Sequence, residues 1–359
     1  MTRMSVGLLL AAIVGAAATS SAQAQDNATA QLDGSQLGNC GRPCQQSCLE
    51  LTASLLYLQP CSNNLEYGTL VSPLPLPTPN WANQAIDPHY APAFNVGMRY
   101  TFGESCTDLA MDWTHLQASD SNSFSAGATQ FVGPPFEIGP DASGFQIGDG
   151  EVKFEFDAVN LEVGHTFFAG DVVQVRVFGG LQFARITEDL SGNFRSLDDL
   201  STNDNTTESA FTGAGPRFGV DAKCVAGNFD FVGEMGVAAL IGTMKSRLDF
   251  SATSPVAVGD GVPQPNLQSL TSPDATQVIP CIDCKLGTGY TLAMRRCGTI
   301  RIEGGYQAAV YINAINEYSI TEVDTPPDPQ SVGIFLRTQN RQQSDFIAQG
   351  PYLTGSWSF

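Results

Sequence analysis

Apolar and polar residues alternate through the last eight positions of the chain. Leu353, Trp357 and Phe359 fall on one face, and the polar residues Thr354 and Ser356 fall on the other. This period of two predicts a β-strand with one apolar face. A strand at a sheet edge has backbone groups that need a partner. Pairing with the first strand of a closed barrel supplies one, although the last strand of a soluble sandwich has the same pattern.

The same alternation recurs along the chain and predicts ten strands. Within one of them the apolar positions change parity near Ala158, and a β-bulge there explains the change. The predicted strands cover residues 49–59, 93–102, 107–116, 152–168, 172–186, 208–222, 229–243, 278–294, 299–312 and 345–359.

The connections between these strands alternate in length, and bacterial outer-membrane barrels combine short periplasmic turns with long outer loops. We therefore predict an all-β fold: an antiparallel, up-and-down transmembrane β-barrel of about ten strands, within a range of roughly 8–12, with both termini in the periplasm. The short connections are residues 103–106, 169–171, 223–228 and 295–298, and the long ones are 60–92, 117–151, 187–207, 244–277 and 313–344.

The N-terminal segment predicts export. Arg3 precedes an apolar run over residues 6–18, and Ala22-Gln23-Ala24 has the small-x-small pattern of a cleavage site. The run is short for a transmembrane helix. We predict a signal peptide over residues 1–24, a flexible, cysteine-containing periplasmic lead-in over 25–48, and the barrel over 49–359.

The composition is acidic and sparsely charged, with a formal net charge of −19 and 15% charged residues. This charge excludes a general binder of nucleic acids or anionic lipids. It would favour cations in an aqueous pore. Acidic residues that only keep exposed loops soluble explain the charge equally well.

Nine cysteines follow the predicted signal peptide, and an oxidising compartment favours disulfide bonds. Cys281 and Cys284 have redox spacing without the βαβ setting of a thioredoxin site. No metal site is predicted, because the cysteine cluster of the lead-in has no histidine nearby. The odd count leaves at least one cysteine free, modified or paired with another chain. The disulfide candidates share the periplasmic side of the predicted topology: Cys40, Cys44, Cys48, Cys106, Cys224 and Cys297.

Several segments resemble the Legionella-type major outer membrane protein family. They include His89-Tyr90-Ala91-Pro92-Ala93-Phe94-Asn95-Val96-Gly97-Met98-Arg99-Tyr100, Phe178-Gly179-Gly180-Leu181-Gln182-Phe183-Ala184 and Ile302-Glu303-Gly304-Gly305-Tyr306. The resemblance spans about residues 49–359 and implies a pore-forming outer-membrane barrel. It brings no catalytic residues, and the extra cysteines depart from the family pattern.

No enzymatic motif stands out. The chain lacks an HExxH pair, a GxSxG elbow and a Walker loop. We expect no cofactor and no catalytic activity, although a Ser-His-Asp site inside a barrel stays open. Polar parity instead predicts residues that line a lumen and set its selectivity, unless they pair with one another and plug it. These pore-lining candidates are Arg99, Asp112, Arg176, Arg217, Glu234, Lys285, Arg301 and Glu303.

Three functions compete at this point. The first is a porin-like pore for small polar solutes or ions with a mild cation preference. The second is a non-conducting barrel that anchors the envelope or presents adhesive loops. The third is a secreted, soluble binding protein. The expected partners are outer-membrane lipid and lipopolysaccharide, the barrel-assembly machinery acting through the Phe359 strand, and another copy in a homo-oligomer, but no nucleic acid.

Overall fold

A computed structural model describes residues 47–72, 80–103, 105–134, 145–170, 172–197, 201–253, 266–294, 298–324 and 335–359. The predicted signal peptide 1–24 and residues 25–46 of the lead-in lie outside the described residues. Within the described ranges, no helix is long and apolar enough to cross a membrane. Every named element is a strand.

The described chain forms fourteen strands. They are β1 (Cys48–Ser62), β2 (Glu66–Ser72), β3 (Asn80–Ala85), β4 (Ala91–Thr101), β5 (Thr107–Ser125), β6 (Phe131–Gly133), β7 (Ile147–Ala169), β8 (Val173–Arg195), β9 (Thr202–Ala226), β10 (Phe229–Thr253), β11 (Asn266–Thr271), β12 (Ala275–Met294), β13 (Gly298–Asp324) and β14 (Phe335–Ser358).

Ten of these strands close into an antiparallel barrel, which confirms the predicted fold class. The order around it is β10-β12-β13-β14-β1-β4-β5-β7-β8-β9, and β9 pairs with β10 to complete the ring. The last strand pairs with the first, with Leu51 opposite Trp357. Strand β11 extends the sheet beside β10, and β2, β3 and β6 form a small separate sheet.

The short turns lie where the alternation predicted them, but the long connections are shorter than predicted. Residues 187–207 were predicted as a loop, yet β8 continues to Arg195 and β9 begins at Thr202. β5, β10, β13 and β14 likewise continue well into predicted loop segments. The strands reach up to 27 residues, whereas about 9–11 residues cross a bilayer. The barrel therefore has a membrane portion and a long outer portion.

The outward face changes character between these two portions. On β8, the exposed residues Val177, Leu181 and Phe183 are followed on the same face by Arg185 and Asn193. Exposed aromatic residues gather near the turn end, as interface girdles do: Tyr100, Phe102, Phe167, Phe229 and Trp357. The outer portion begins where the apolar band ends.

The inward face changes from polar in the membrane portion to apolar in the outer portion, and this explains the parity change near Ala158. The register of β7 runs without a shift against both β5 and β8, so the predicted β-bulge is wrong. Phe154 and Phe156 point into the barrel, whereas Leu161 and Val163 are exposed on its outside. The strand keeps its geometry while its apolar residues move from the outer face to the inner face.

The membrane portion makes a testable distinction between two positions on one face of β9. Val220→Lys places a charge in the apolar band and should destabilise the folded barrel by about 2–4 kcal/mol. Thr206→Lys, on the same face in the outer portion, should change stability little, because water surrounds it. Denaturant unfolding in lipid vesicles measures both. Equal costs at the two positions would contradict the placement of the band.

Candidate functional site

The inner face of the membrane portion carries a layer of charged side chains. All eight predicted pore-lining residues lie on inward-facing positions of their strands. The layer is tightly packed around its two central arginines: Arg176 is only 5% exposed and Arg217 only 2%. Arg99 is half-exposed and stands 3.9 Å from both Asp108 and Asp221. We define this set of charged residues and their partners as the ionic layer.

Arg176 makes the most contacts in the ionic layer. Its Nε donates to both carboxylate oxygens of Asp108, at 3.1 and 2.9 Å, and its Nη2 donates to the same group at 2.7 Å. Its Nη1 reaches Glu162 at 3.1 Å and Asp221 at 2.8 Å. One guanidinium therefore joins carboxylates from β5, β7 and β9. Such forked, charge-assisted bonds are the strong ones in proteins.

Arg217 repeats this arrangement toward β10 and β12. Its Nε donates to Glu162 at 3.0 Å, its Nη2 donates to Asp283 at 2.9 Å, and Glu234 lies 3.7 Å away. Glu162 thus bridges the two arginines. The ring of Phe178 lies within cation–π distance of both guanidinium carbons, at 4.9 and 5.4 Å. These contacts join side chains of β7, β8, β9, β10 and β12 into one network on the inner wall.

A second cluster fills the lumen on the side of β13. Arg301 donates to Asp230 at 2.9 Å and also contacts Glu303. Glu303 accepts a hydrogen bond from the Tyr352 hydroxyl at 2.6 Å, and the Lys285 ammonium lies 3.4 Å from it. The remaining candidate, Asp112, accepts two hydrogen bonds from the amide of Asn160. Each predicted residue therefore has a polar partner within the lumen.

Glycines make room for these bulky groups. A Cβ on Gly164 would lie 2.3 Å from Arg176 Nε, and one on Gly236 would lie 2.6 Å from Arg217 Nη2. A Cβ on Gly289 would lie 2.6 Å from Arg301 Nη2. Each buried guanidinium therefore lies over a glycine of a neighbouring strand, which accounts for part of the high glycine content.

An apolar layer lies beyond the ionic layer, toward the outer end. Tyr311 packs against Phe156 and Phe346, with ring centroids 5.4 and 6.2 Å apart. The layer is continuous across the lumen, and each of its side chains is at most 5% exposed. Its main members are Leu56, Leu58, Leu116, Phe154, Phe156, Ile186, Phe211, Leu240, Met244, Ile279, Cys281, Tyr311 and Phe346.

Strand β13 bends into the barrel just above this layer. Its register against β14 shifts between Tyr311 and Ile315, and Asn313 has a positive φ of 59°. The backbone N–H of Asn316 then donates to Ser209 Oγ at 2.9 Å, and its carbonyl accepts from Ser246 Oγ at 3.0 Å. Those serines belong to the inner walls of β9 and β10. We call residues 314–317, which are buried or half-buried, the inner crossing.

The acidic partners of the arginines were not among the residues predicted from the sequence. Asp108, Glu162, Asp221, Asp230 and Asp283 are as central to the ionic layer as the residues that were named. Asp108, Asp230 and Asp283 share the polar parity of their strands with named candidates, so the signal was present. Glu162 was hidden by the assumed bulge in β7.

The predicted disulfide scheme needs one correction. Cys224 is a free thiol on the exposed face of β9, which it shares with Phe218 and Val220. The side chain of Cys224 lies on the outer, lipid-facing side of the strand, so the predicted disulfide bond of Cys224 is wrong. Cys106 lies in the β4–β5 turn and is disulfide-bonded, and Cys48 begins β1. Cys40, Cys44 and Cys297 lie outside the described residues, and the pairing pattern stays a prediction.

The comparison with protein families decides the affiliation of the chain. The family of the Legionella pneumophila major outer membrane protein precursor matches residues 41–359. The chain belongs to this family. It is an outer-membrane β-barrel, and the alternative of a secreted soluble protein is wrong. No curated protein sequence matches this family member.

Solved structures similar to this family member include an outer-membrane protease and a toluene transporter. The outer membrane protease OmpT of Escherichia coli has 8% identity and a TM-score of 0.42, with 87% of this chain and 97% of that chain covered. The toluene transporter TodX of P. putida has 9% identity and a TM-score of 0.31, covering 89% and 92%. A FadL homologue of Pseudomonas aeruginosa has 7% identity and a TM-score of 0.25, covering 87% and 90%.

These similarities correct the prediction that the protein is not an enzyme. A solved outer-membrane barrel to which the chain is similar is a protease, so the lack of familiar sequence motifs gives no ground for excluding catalysis. At 8% identity the likeness concerns the fold and assigns no reaction to this family member.

The ionic layer predicts a large cost for losing one arginine. Arg217→Met leaves Glu162 and Asp283 buried without that guanidinium and should lower the free energy of unfolding by about 3–5 kcal/mol. Arg185→Met is the matched control. That arginine lies on the exposed face, 3.4 Å from Glu155, and its removal should cost at most about 1 kcal/mol. Denaturant titration in detergent measures both, and similar costs would contradict the central role of the network.

Proposed function

We propose that this protein is an outer-membrane barrel with a closed lumen, whose membrane portion anchors the outer portion at the cell surface for envelope anchoring or adhesion. The observation that carries the proposal is the occupancy of the lumen. The buried ion pairs of Arg176 and Arg217 occupy part of it within the membrane band, and the apolar layer fills it above.

Both layers oppose the passage of hydrated ions. Removing one partner of a buried ion pair costs about 3–5 kcal/mol, because the other charge stays buried. The apolar layer consists mainly of hydrocarbon and aromatic side chains, which cannot replace the hydration shell of an ion. A solute would have to displace both layers, and the inner crossing adds a third barrier.

The outer portion has the surface that such a role needs. Its outward face is polar on β5, β7, β8, β9 and β10, as in Ser119, Glu151 and Asn193. A polar cleft of about 740 Å³ opens beside Ser121, Asp149 and Asn193. We infer that lipopolysaccharide sugars are the first partner of this surface, because the outer portion extends directly from the lipid band. The barrel-assembly machinery and a homo-oligomer stay predictions.

A second candidate function is a narrow pore for small polar solutes or ions with a cation preference. One observation favours it: carboxyl groups outnumber basic groups in the ionic layer. An opened lumen would therefore attract cations. The carboxyl groups are Asp108, Asp112, Glu162, Asp221, Asp230, Glu234, Asp283 and Glu303, and the basic groups are Arg99, Arg176, Arg217, Lys223, Lys285 and Arg301.

Single-channel recording of the refolded protein in a planar bilayer separates the two functions. The closed barrel predicts no discrete conductance steps at pH 6. Protection of the protein from added protease serves as the control that it is inserted in the membrane. Discrete steps with a cation-biased reversal potential in a salt gradient would overturn the closed barrel and support the pore.

A control variant keeps a silent recording informative. Removing both central guanidinium groups, in Arg176→Ala with Arg217→Ala, opens the ionic layer but leaves the apolar layer in place. This variant should also stay silent if the apolar layer seals the lumen by itself. Steps from the double variant alone would assign the seal to the ionic layer.

A further inference from the structure

Two carboxyl groups meet in the interior of the outer portion. Glu188 points inward from β8 and is 3% exposed. Glu317 ends the inner crossing. Asn64, in the connection after β1, donates to Glu188 Oε1 at 3.1 Å and also hydrogen-bonds to the Glu317 carboxyl. One amide therefore links the barrel wall to the inner crossing.

The surroundings of the two carboxyl groups supply negative charge. Glu317 and Asp189 act on Glu188, and Glu66 acts on Glu317. The wall residues paired with Glu188 on the neighbouring strands are uncharged, namely Phe154 and Ser209. The second carboxylate oxygen of Glu188, Oε2, is buried and has no hydrogen-bond partner. Ser62 and Asn64 favour the ionised form of Glu188, but the burial of the carboxyl group outweighs them. A buried carboxyl group in such a setting favours its protonated form.

The pair lies at the docking point of the inner crossing. Asn316, the neighbour of Glu317, is anchored through Ser209 Oγ, and Ser209 is the register partner of Glu188. On the other side of the contact, the Asn63 N–H and the Ser62 hydroxyl bond to Ser344 of β14, at 2.9 and 3.0 Å. The carboxyl pair thus joins β8, the connection after β1, and the β13–β14 hairpin.

We propose that Glu188, Asn64 and Glu317 form a proton-operated latch. The latch holds the inner crossing against the barrel wall while the carboxyl pair is protonated. It releases the inner crossing when both carboxyl groups are ionised. The latch rests on the proposed closed lumen for its biological meaning, since the crossing is one of the barriers within that lumen. Its docking can be measured whether or not the barrel conducts.

The sign of the pH dependence follows from burial. Burial raises the pKa of Glu188 to about 8 and that of Glu317 to about 7. Both values exceed the ordinary 4.5 of a glutamate, so the docked state binds more protons than the released state. Docking is then strongest at acidic pH and weakens as the pH rises through 7 and 8.

Hydrogen exchange of the whole protein in detergent, read on peptides covering residues 312–317, tests the latch. After correction for the intrinsic exchange rate, protection should fall at least about tenfold between pH 6 and pH 9. Peptides from the membrane part of β8, residues 173–183, should keep their protection and report that the barrel stays folded.

Isosteric variants identify the groups responsible. Glu188→Gln and Glu317→Gln should each weaken the pH dependence, and the double variant should abolish it. Glu208→Gln, an exposed carboxyl on β9, is the matched control and should behave like the wild type. Unchanged protection in the wild type from pH 6 to pH 9 would overturn the latch. So would a double variant that still loses protection as the wild type does.

The recordings described above keep the two proposals apart. Conductance at pH 6 would contradict the closed lumen, while the exchange data would still decide whether the crossing is latched.

Discussion

The fold depends on the need to neutralise arginines inside a narrow barrel. A guanidinium cannot lose its proton, and its burial is costly unless several carboxylates surround it. Arg176 and Arg217 meet this need with acidic groups from β5, β7, β9, β10 and β12. The partners come from neighbouring strands of the wall, from β5 through β7, β8, β9 and β10 to β12, so the network ties this side of the barrel together. The same contacts that stabilise the barrel occupy the space a pore would need.

The two portions of the barrel show how one strand geometry serves two solvents. In the membrane portion, lipid surrounds the outer face and the lumen holds the polar groups. In the outer portion, water surrounds the outer face and the lumen holds an apolar core, as in a soluble protein. β7 passes from one regime to the other without a break in register. The inner crossing lies within the outer portion and carries Glu317, which meets Glu188 of β8 there.

Much of the membrane portion could be predicted from sequence. The period of two survives in every membrane strand, and tight turns such as the one around Gly227, with φ of 68°, mark one end. The outer strand extensions could not be predicted in the same way, because the analysis took apolar residues to face outward throughout. Val152, Phe154 and Phe156 then indicated a bulge, although they form part of a core.

The site was predicted in part for a related reason. Parity identifies which residues point inward, so Arg176, Arg217 and Glu303 could be named. It does not say which inward residues meet across the lumen. The contact of Arg217 with Asp283 joins positions 66 residues apart, and it depends on the stagger of β9, β10 and β12 against one another, which no local pattern encodes. The choice between lining a pore and plugging it therefore needed the structure.

Cys281 offers the most direct test of the closed lumen. This free thiol is 1% exposed within the apolar layer, above the ionic layer and below the inner crossing. The folded protein in lipid should be treated with a small, charged, water-soluble thiol reagent at pH 6 and mapped by mass spectrometry, with the unfolded protein as the reference for full reactivity. A closed lumen predicts that Cys281 stays unmodified until the protein unfolds. Rapid modification of Cys281 in the folded barrel would show that water and solutes reach the centre of the lumen, and would contradict a closed lumen.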